Sequence, residues 1–220
     1  MPRRRAKALE ARPRTFKERV DGLYYDPNTV ALRDMNTMTT TLPDTRIARR
    51  AMIDSQLRTS GVNEEYVLAR MIAVPREEFL PADKAAQAYI DRAVMLGEAG
   101  HLAAPLFYGK LLLEAAPMPD DRVLVVGGGT DYLAALLRPL VAELHQITAA
   151  EAVNASGTGA YSLIVIDGAI EQLPDGLAAQ LTDEGRIVTG LVLRQVTRLA
   201  TGRKVAGKVN LQPVEDLGIP

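Results

Sequence analysis

Three consecutive glycines follow an aliphatic run and precede a Leu- and Ala-rich run in this chain. They are Gly127, Gly128 and Gly129, after residues 122–126 and before the run that begins at Tyr132. This order predicts a strand, a tight turn and a helix. Glycines let the backbone approach a ligand closely, and the start of a helix favours polar or anionic ligand groups. The stretch is a candidate site for a nucleotide-type cofactor, although plain loops carry the same pattern.

The residues after the three glycines depart from the dinucleotide-binding fingerprint. That fingerprint would have a further glycine at the position of Tyr132, so a nicotinamide-dependent oxidoreductase is set aside. Asp131 stands where the chain enters the predicted helix, and we expect its carboxylate to cap that helix. We therefore expect Asp131→Gly to strengthen cofactor binding, because it removes a negative charge from the helix end.

A second candidate carboxylate stands at the end of another predicted strand. Residues 161–166 are almost continuously apolar, as in a buried parallel strand, and Asp167 and Gly168 are predicted to end that strand. Ligands of open α/β sheets bind at the carboxyl ends of strands, which makes Asp167 a candidate ligand-facing group. A simple turn formed with Gly168 is the alternative that the sequence leaves open.

The elements that must position these residues are predicted on both sides of the glycine turn. Helices are predicted after Asp44 with Gly61 as a C-cap, from an Asn63 cap to Pro75, and from Pro105. Further strands are predicted at 143–148 and within 185–212, where Gly190, Gly202 and Gly207 are expected to break them and an antiparallel edge is expected.

Composition limits the classes of function. The 220 residues are 47% hydrophobic, which is enough for one substantial core. The absence of cysteine excludes disulfides, thiolate metal sites and cysteine nucleophiles. With His101 and His145 as the only histidines, a zinc site or a serine–histidine relay is a poor first hypothesis, and no metal is expected. No apolar run is long enough to span a bilayer, so we expect a cytoplasmic protein without a membrane partner.

Charge divides the chain into two parts. Residues 1–21 carry eight basic and three acidic side chains, and the rest has a net charge of −6. We expect residues 1–44 to be a disordered basic arm and polar linker, and residues 45–220 to form the domain, with a helical subregion at 45–118. Nucleic acid is not the expected partner of the arm, and the sequence does not predict an oligomeric state.

Two longer stretches resemble the protein-L-isoaspartate O-methyltransferase family. Residues 52–81, MIDSQLRTSGVNEEYVLARMIAVPREEFLP, are similar to its N-terminal segment, and residues 164–188, IVIDGAIEQLPDGLAAQLTDEGRIV, to its fourth and fifth strands. The resemblance covers most of residues 46–190. It implies an α/β fold with a three-layer, mostly parallel Rossmann-like methyltransferase sheet. It also implies S-adenosylmethionine as cofactor and methyl transfer to isoaspartyl carboxylates of damaged proteins or peptides.

The cofactor-binding residues that the resemblance and the local pattern together suggest are Gly127, Gly128, Gly129, Asp131, Tyr132, Asp167 and Gly168. No catalytic residue is assigned, because Ala103 occupies the position of the family's serine and cannot orient a carboxylate. His101, two residues earlier, is the candidate substitute, and the alternative is an ordinary solvated loop histidine.

Three further departures fall on groups that would hold the cofactor. Val125 replaces an acid in the strand before the glycines, and Asp131 replaces the last motif glycine. Thr148 replaces the acid that ends the second strand, and Glu151 would substitute only if that strand ended later. These changes favour a site with fewer polar contacts to the cofactor than the family pattern provides.

The connection between the second and third predicted strands of the sheet is short. Residues 149–160 have room for one helix but not for a helix, a strand and a second helix. We therefore expect the sheet to lack one edge strand with its helix. Two functions remain: a methyltransferase whose activity is weakened, or a non-catalytic binding or scaffold protein derived from the family.

Overall fold

The computed structural model describes residues 45–220, and the predicted basic arm and linker of residues 1–44 lie outside this range. The α-helices are α1 Thr45–Met52, α2 Glu65–Ala73, α3 Pro105–Ala115, α4 Tyr132–Leu137, α5 Ala149–Val153 and α6 Asp175–Ala179. The strands are β1 Val94–Met95, β2 His101–Leu102, β3 Arg122–Gly127, β4 Glu143–Thr148, β5 Tyr161–Ile170, β6 Leu181–Leu193, β7 Val196–Val205 and β8 Lys208–Asp216.

The central sheet has six strands in the order β4-β3-β5-β6-β7-β8. The first four strands of this order are parallel to one another, and β7 and β8 add two antiparallel strands at one side. The predicted mostly parallel sheet and its antiparallel edge are both confirmed. The short strands β1 and β2 form a separate antiparallel pair before α3.

Alternate residues of β3 and β5 enter two different cores, which makes the domain three-layered. Val123, Val125, Leu163 and Val165 pack on the side of α1 to α4, whereas Leu124, Val126, Ile164 and Ile166 pack on the side of α5 and α6. Both faces of these parallel strands are therefore buried, which explains their nearly continuous apolar sequence. None of the helices between residues 45 and 220 has the length and apolar character needed to cross a bilayer.

The chain passes from β4 to β5 through a single short helix. Within the described chain, α5 is followed by residues 154–160 without a strand, and β4 pairs only with β3. β4 is therefore an edge of the sheet, as the length of this connection predicts. One end of the sheet is open where a further strand would lie.

Two predictions about strand ends are wrong. β5 does not stop at Asp167 and Gly168; Val165 pairs with Val188 and Ala169 with Gly190, so four steps along β5 match two along β6. The pair lies in a bulge because β6 continues beside it and resumes the pairing. Gly190 and Gly202 likewise lie inside strands rather than breaking them, since their backbones pair on both sides.

The start of the domain follows the predicted helices with one difference. α1 continues through a π-helical turn and a 3-10 turn to Gly61, whose φ of +85° is the left-handed C-cap that the sequence predicts. α2 begins after Glu64 and receives no side-chain cap, so the predicted Asn63 cap is wrong. α3 begins at Pro105, where proline suits the first helical turn.

Candidate functional site

A cavity of ≈ 580 Å³ opens at the carboxyl ends of β3, β4 and β5. Its wall combines the turn after β3, the loop before β2, the first turns after β4 and the bulge of β5. The residues concerned are Gly127 to Gly129, Glu98 to His101, Thr148 to Ala150 with Ala152 and Val153, and Asp167 to Ile170. The structure thus brings five predicted residues together: Gly127, Gly128, Gly129, Asp167 and Gly168.

The glycine turn lines the cavity and also contacts other segments of the chain. The His101 N–H donates to the Gly128 carbonyl over 2.8 Å. A Cβ at Gly128 would lie 2.3 Å from the Asp167 carbonyl oxygen, and one at Gly129, whose φ is +120°, only 1.9 Å from that of Ala99. Glycine is therefore required at both positions because other backbone segments fill the space of a side chain.

Asp167 is the buried acid of the cavity wall. Its Oδ2 accepts a hydrogen bond from the Tyr108 hydroxyl over 2.9 Å, and that hydroxyl accepts one from the Ala103 N–H over 3.1 Å. Burial, followed by the negative charge of Asp167, raises the pKa of the Tyr108 phenol well above its ordinary value. Tyr108 therefore remains a donor and fixes one oxygen of the carboxylate.

Arg76 holds the Ala103 segment from behind. It is fully buried, with its guanidinium 5.4 Å from the Tyr108 ring centroid and 4.9 Å from that of Tyr132. It donates hydrogen bonds of 2.7 Å to the carbonyls of Ala88 and Ala103. Both backbone groups of Ala103 are thus engaged, and its methyl group lies in the core rather than in the wall that the described residues form.

His101 faces Asp167 across a short gap. Its Nε2 lies 3.8 Å from Asp167 Oδ1, and both atoms are shut off from solvent without a hydrogen-bond partner among residues 45–220. The ring packs against Gly128 and Gly168, which are small enough to admit it. This pair, and not Ala103, carries the buried side-chain atoms of this wall that have no hydrogen-bond partner among residues 45–220.

Asp131 and Tyr132 do not share this cavity. Asp131 precedes α4 but makes no side-chain bond to its N–H groups, so the predicted cap is wrong; its Oδ1 accepts instead from Gln146 Nε2 over 2.9 Å. The structure therefore gives no basis for the gain in cofactor affinity that was expected from Asp131→Gly. Tyr132 is fully buried against Phe79 and Tyr108, because the first residue of α4 points into the core.

The acid that follows β4 caps the next helix and does not line the cavity. Thr148 ends the strand as predicted, and the Glu151 carboxylate accepts from the Thr148 N–H and hydroxyl over 2.8 and 2.9 Å in a capping box. The acids that the described wall does contain are Glu98 and Asp167. Glu98 and Tyr108 were not predicted as site residues. For Tyr108 the missing information is which face of α3 meets the sheet.

Comparison with known proteins decides the family. The family described as protein-L-isoaspartate(D-aspartate) O-methyltransferase matches residues 48–156. A protein-L-isoaspartate O-methyltransferase of Roseiflexus castenholzii is 32% identical over 195 residues, covering 77% of this chain and 88% of the relative. The chain belongs to the protein-L-isoaspartate O-methyltransferase family. A second relative, from Koribacter versatilis, is 30% identical and covers 76% of this chain and 87% of itself.

Solved structures of protein-L-isoaspartate O-methyltransferases share the fold. One from Plasmodium falciparum, in complex with S-adenosyl-L-homocysteine, superposes with a TM-score of 0.61 at 16% identity, over 78% of this chain and 96% of the other. Another gives a TM-score of 0.62 at 17% identity, over 78% of this chain and 64% of the other. The predicted Rossmann-like methyltransferase fold is confirmed.

Proposed function

We propose that this protein binds S-adenosylmethionine in the cavity at the ends of β3, β4 and β5 and transfers its methyl group to isoaspartyl carboxylates of proteins or peptides. Family membership supports the reaction. The observation that carries the proposal for this chain is the glycine turn, which exposes backbone at Gly127 to Gly129 beside the unpartnered oxygen of Asp167.

The wall suits the parts of such a cofactor. Val126, Ile166, Ile170 and Leu177 give one side of the cavity an apolar surface, as a flat heterocyclic base requires. The glycine turn and the β5 bulge bring polar backbone groups to the same cavity. A cavity with one apolar side and a few convergent polar groups is typical of cofactor sites.

S-adenosylmethionine supplies the methyl group and the sulfonium leaving group. A carboxylate is already ionised at neutral pH, so its attack on the methyl carbon needs no general base from the protein. The residues of this chain would act by binding and alignment, which alone can contribute several kcal/mol to such a reaction. The absence of a hydroxyl at Ala103 therefore removes no proton carrier from this reaction.

A non-catalytic binding protein is the second candidate, and two observations favour it. Ala103 turns its methyl group into the core and offers no donor to an acceptor carboxylate. Glu151, the acid that follows β4, has its Oε2 engaged in the capping box and does not line the cavity. Such a protein would bind the cofactor without transferring its methyl group.

One set of assays separates these functions. Calorimetric titration with S-adenosylmethionine and S-adenosylhomocysteine tests the cavity, and transfer of a labelled methyl group to an isoaspartyl peptide tests the reaction. The same peptide with ordinary aspartate is the control. Binding with transfer to the isoaspartyl peptide alone is expected; binding without transfer favours the non-catalytic protein, and no binding at millimolar cofactor contradicts both.

A further inference from the structure

A chain of hydrogen bonds behind the cavity wall joins a buried cation to a buried anion. Arg76 Nη2 donates to the Ala103 carbonyl over 2.7 Å, and the Ala103 N–H donates to the Tyr108 hydroxyl over 3.1 Å. That hydroxyl donates to Asp167 Oδ2 over 2.9 Å. All four residues are buried, and the Asp167 side chain has no exposed surface. A buried charge is costly unless hydrogen bonds compensate it, so this chain of bonds supports both charges in the core.

The Tyr108 hydroxyl holds two segments of the chain together. It bonds to the loop that precedes α3 at Ala103 and to the β5 bulge at Asp167. Both segments also contact the glycine turn. The His101 N–H of the loop donates to the Gly128 carbonyl over 2.8 Å, and the Asp167 carbonyl oxygen lies 2.3 Å from a Cβ built at Gly128. A group that fixes these two segments therefore fixes the surroundings of the turn.

Tyr108 occupies this place without facing the cavity. Its side chain is fully buried in α3, and it is not among the residues that line the cavity. The wall is formed instead by the segments that it bonds, through Glu98 to His101 of the loop and Asp167 to Ile170 of the bulge. The loss of its hydroxyl would reach the cavity through these two segments.

We propose that Tyr108 is a positioning residue for the proposed methyl transfer, because its hydroxyl holds the loop before α3 and the β5 bulge in the arrangement that receives S-adenosylmethionine. This assignment rests on the proposed function, which places that cofactor in the cavity. It concerns the backbone of the wall and gives Tyr108 no contact with a ligand. A hydroxyl is thus present beside position 103, but on the core side, where it orders the loop.

Removal of the Tyr108 hydroxyl tests the assignment. Tyr108→Phe keeps the ring and leaves the Ala103 N–H and Asp167 Oδ2 without this partner. We expect it to bind S-adenosylhomocysteine roughly tenfold more weakly than the wild type, the usual effect of one buried hydrogen bond. Amide hydrogen exchange at His101 and Ala169 should be faster in the ligand-free variant, because the loop and the bulge then open more easily.

Tyr66→Phe is the matched control in the same core. The Tyr66 hydroxyl donates to the Leu112 carbonyl of the same helix α3 over 3.0 Å, and Tyr66 does not line the cavity. The variant loses the same chemical group and one hydrogen bond to α3. Its affinity for S-adenosylhomocysteine and its exchange at the two amides should equal those of the wild type.

A double variant separates positioning from stability. Tyr108→Phe leaves the buried Asp167 carboxylate with one partner fewer, so it should also lower the melting temperature. Tyr108→Phe/Asp167→Asn removes that charge as well and should regain much of the lost melting temperature. Its affinity for S-adenosylhomocysteine should stay as low as that of Tyr108→Phe, because the hydroxyl that joins the two segments is still absent.

The outcomes separate the positioning role from the proposed function. Wild-type affinity in Tyr108→Phe, with or without faster exchange, would overturn the positioning role alone, and so would an equal loss in Tyr66→Phe. If the double variant regains affinity together with its melting temperature, Tyr108 supports stability only and the assignment is wrong. If the wild-type protein does not bind S-adenosylhomocysteine at millimolar concentration, the proposed function fails and the assignment fails with it.

Discussion

Gly129 makes the closest backbone approach in the cavity wall, and this approach can be tested separately from its backbone conformation. Gly157 has almost the same φ, +117° against +120°, but nothing lies within 4 Å of a Cβ built there. Gly157→Ala should therefore cost only backbone strain, about 1 to 2 kcal/mol. Gly129→Ala should cost at least about 2 kcal/mol more, because its Cβ would overlap the Ala99 carbonyl.

Chemical denaturation of the two alanine variants measures this difference in the free energy of unfolding. Titration with S-adenosylhomocysteine should show a loss of affinity in Gly129→Ala alone. Equal destabilisation of both variants would mean that the turn moves freely away from the loop at Ala99, and that glycine is required there for conformation only.

Ala103 offers a second test at the scale of one residue. Because its side chain lies in the core, Ala103→Ser should not improve cofactor binding or methyl transfer. The added hydroxyl must be buried, which should lower the free energy of unfolding by about 1 to 2 kcal/mol. Ala51→Ser, on the exposed face of α1, is the control and should cost about 0.5 kcal/mol. A clear gain in transfer rate for Ala103→Ser would show that position 103 reaches the reacting groups.

The sequence predicts the site residues unevenly, and the reason is physical. The glycine turn follows β3, and Asp167 directly follows the part of β5 that pairs with β3, so the local pattern is sufficient to place both at one edge of the sheet. Tyr108 and the orientation of His101 depend on how α3 and the loop before it pack. That packing is a property of the whole core and leaves no local signal.

Asp121 joins three elements at the opposite end of β3. It forms an ion pair with Arg186 of β6 at 2.6 Å and accepts from the Ser162 hydroxyl of β5 at 2.6 Å and from the Met118 N–H at 2.7 Å. Burial acts to raise its pKa, but the hydrogen bonds from Arg186, Ser162 and Met118 outweigh this and lower the pKa from its ordinary value of 3.8.

The contribution of Asp121 to stability should depend on pH with a definite sign. A carboxyl group whose pKa is lower in the folded state stabilises the fold above its unfolded pKa, and this stability is lost as the pH falls through the folded pKa. Asp121→Asn should therefore lower the free energy of unfolding by about 3 kcal/mol at pH 7. The difference in this free energy between variant and wild type should shrink below pH 3.8. Urea denaturation across this range measures it.

Asp216 provides the matched control for Asp121. It pairs with Arg198 at the same 2.6 Å, but its side chain is 67% exposed, against 5% for Asp121. Asp216→Asn should change the free energy of unfolding by less than about 1 kcal/mol at any pH, because exposed ion pairs contribute little. Similar losses for both variants would mean that burial of Asp121 is not what gives its ion pair its strength.

The ends of the helices and strands show which boundaries a sequence pattern can predict. The start of α4 and both ends of β4 lie where the sequence predicts them: α4 begins soon after the three glycines, and β4 runs from Glu143 to Thr148. The continuation of β5 past Asp167 was not predictable, since a bulge depends on whether the neighbouring strand goes on. The position of Gly190 and Gly202 within strands was not predictable either, because it depends on backbone pairing with the neighbouring strands.

At the scale of the whole molecule, residues 217–220 connect distant parts of the sheet. Ile219 is buried in the core, and its N–H donates to the Thr197 hydroxyl of β7 over 3.1 Å. The Pro220 carbonyl accepts from the Ala169 N–H of β5 over 2.9 Å and borders the cavity. This segment thus couples the antiparallel side of the sheet to the β5 bulge that carries Asp167.

Ile219→Ser should therefore weaken both the fold and the site. We expect a loss of about 3 kcal/mol in the free energy of unfolding, as for other large-to-small changes in a core, and a lower affinity for S-adenosylhomocysteine. Val214→Ser, at a half-exposed position of β8, should cost less than about 1 kcal/mol and leave affinity unchanged. A stable Ile219→Ser protein with normal affinity would show that this segment does not support the cavity.

The lack of a further strand between β4 and β5 was predictable from the length of one connection. Residues 149–160 leave no room for another strand, and the length of a connection sets which topologies a parallel sheet can adopt. The contact of Pro220 with the cavity was not predictable, because residues 217–220 reach β7 and β5 through hydrogen bonds that no local pattern encodes.

The open position of β4 has a consequence for solubility. An edge strand presents a row of free N–H and C=O groups to which a strand of another molecule can add, the usual beginning of aggregation. β4 is only six residues long, and Glu143 carries a charge there, paired with Arg122 of the neighbouring strand at 2.7 Å. A foreign strand would have to desolvate this ion pair for few backbone bonds in return. The ion pair at the start of β4 thus disfavours edge-to-edge association along the edge that residues 45–220 leave open.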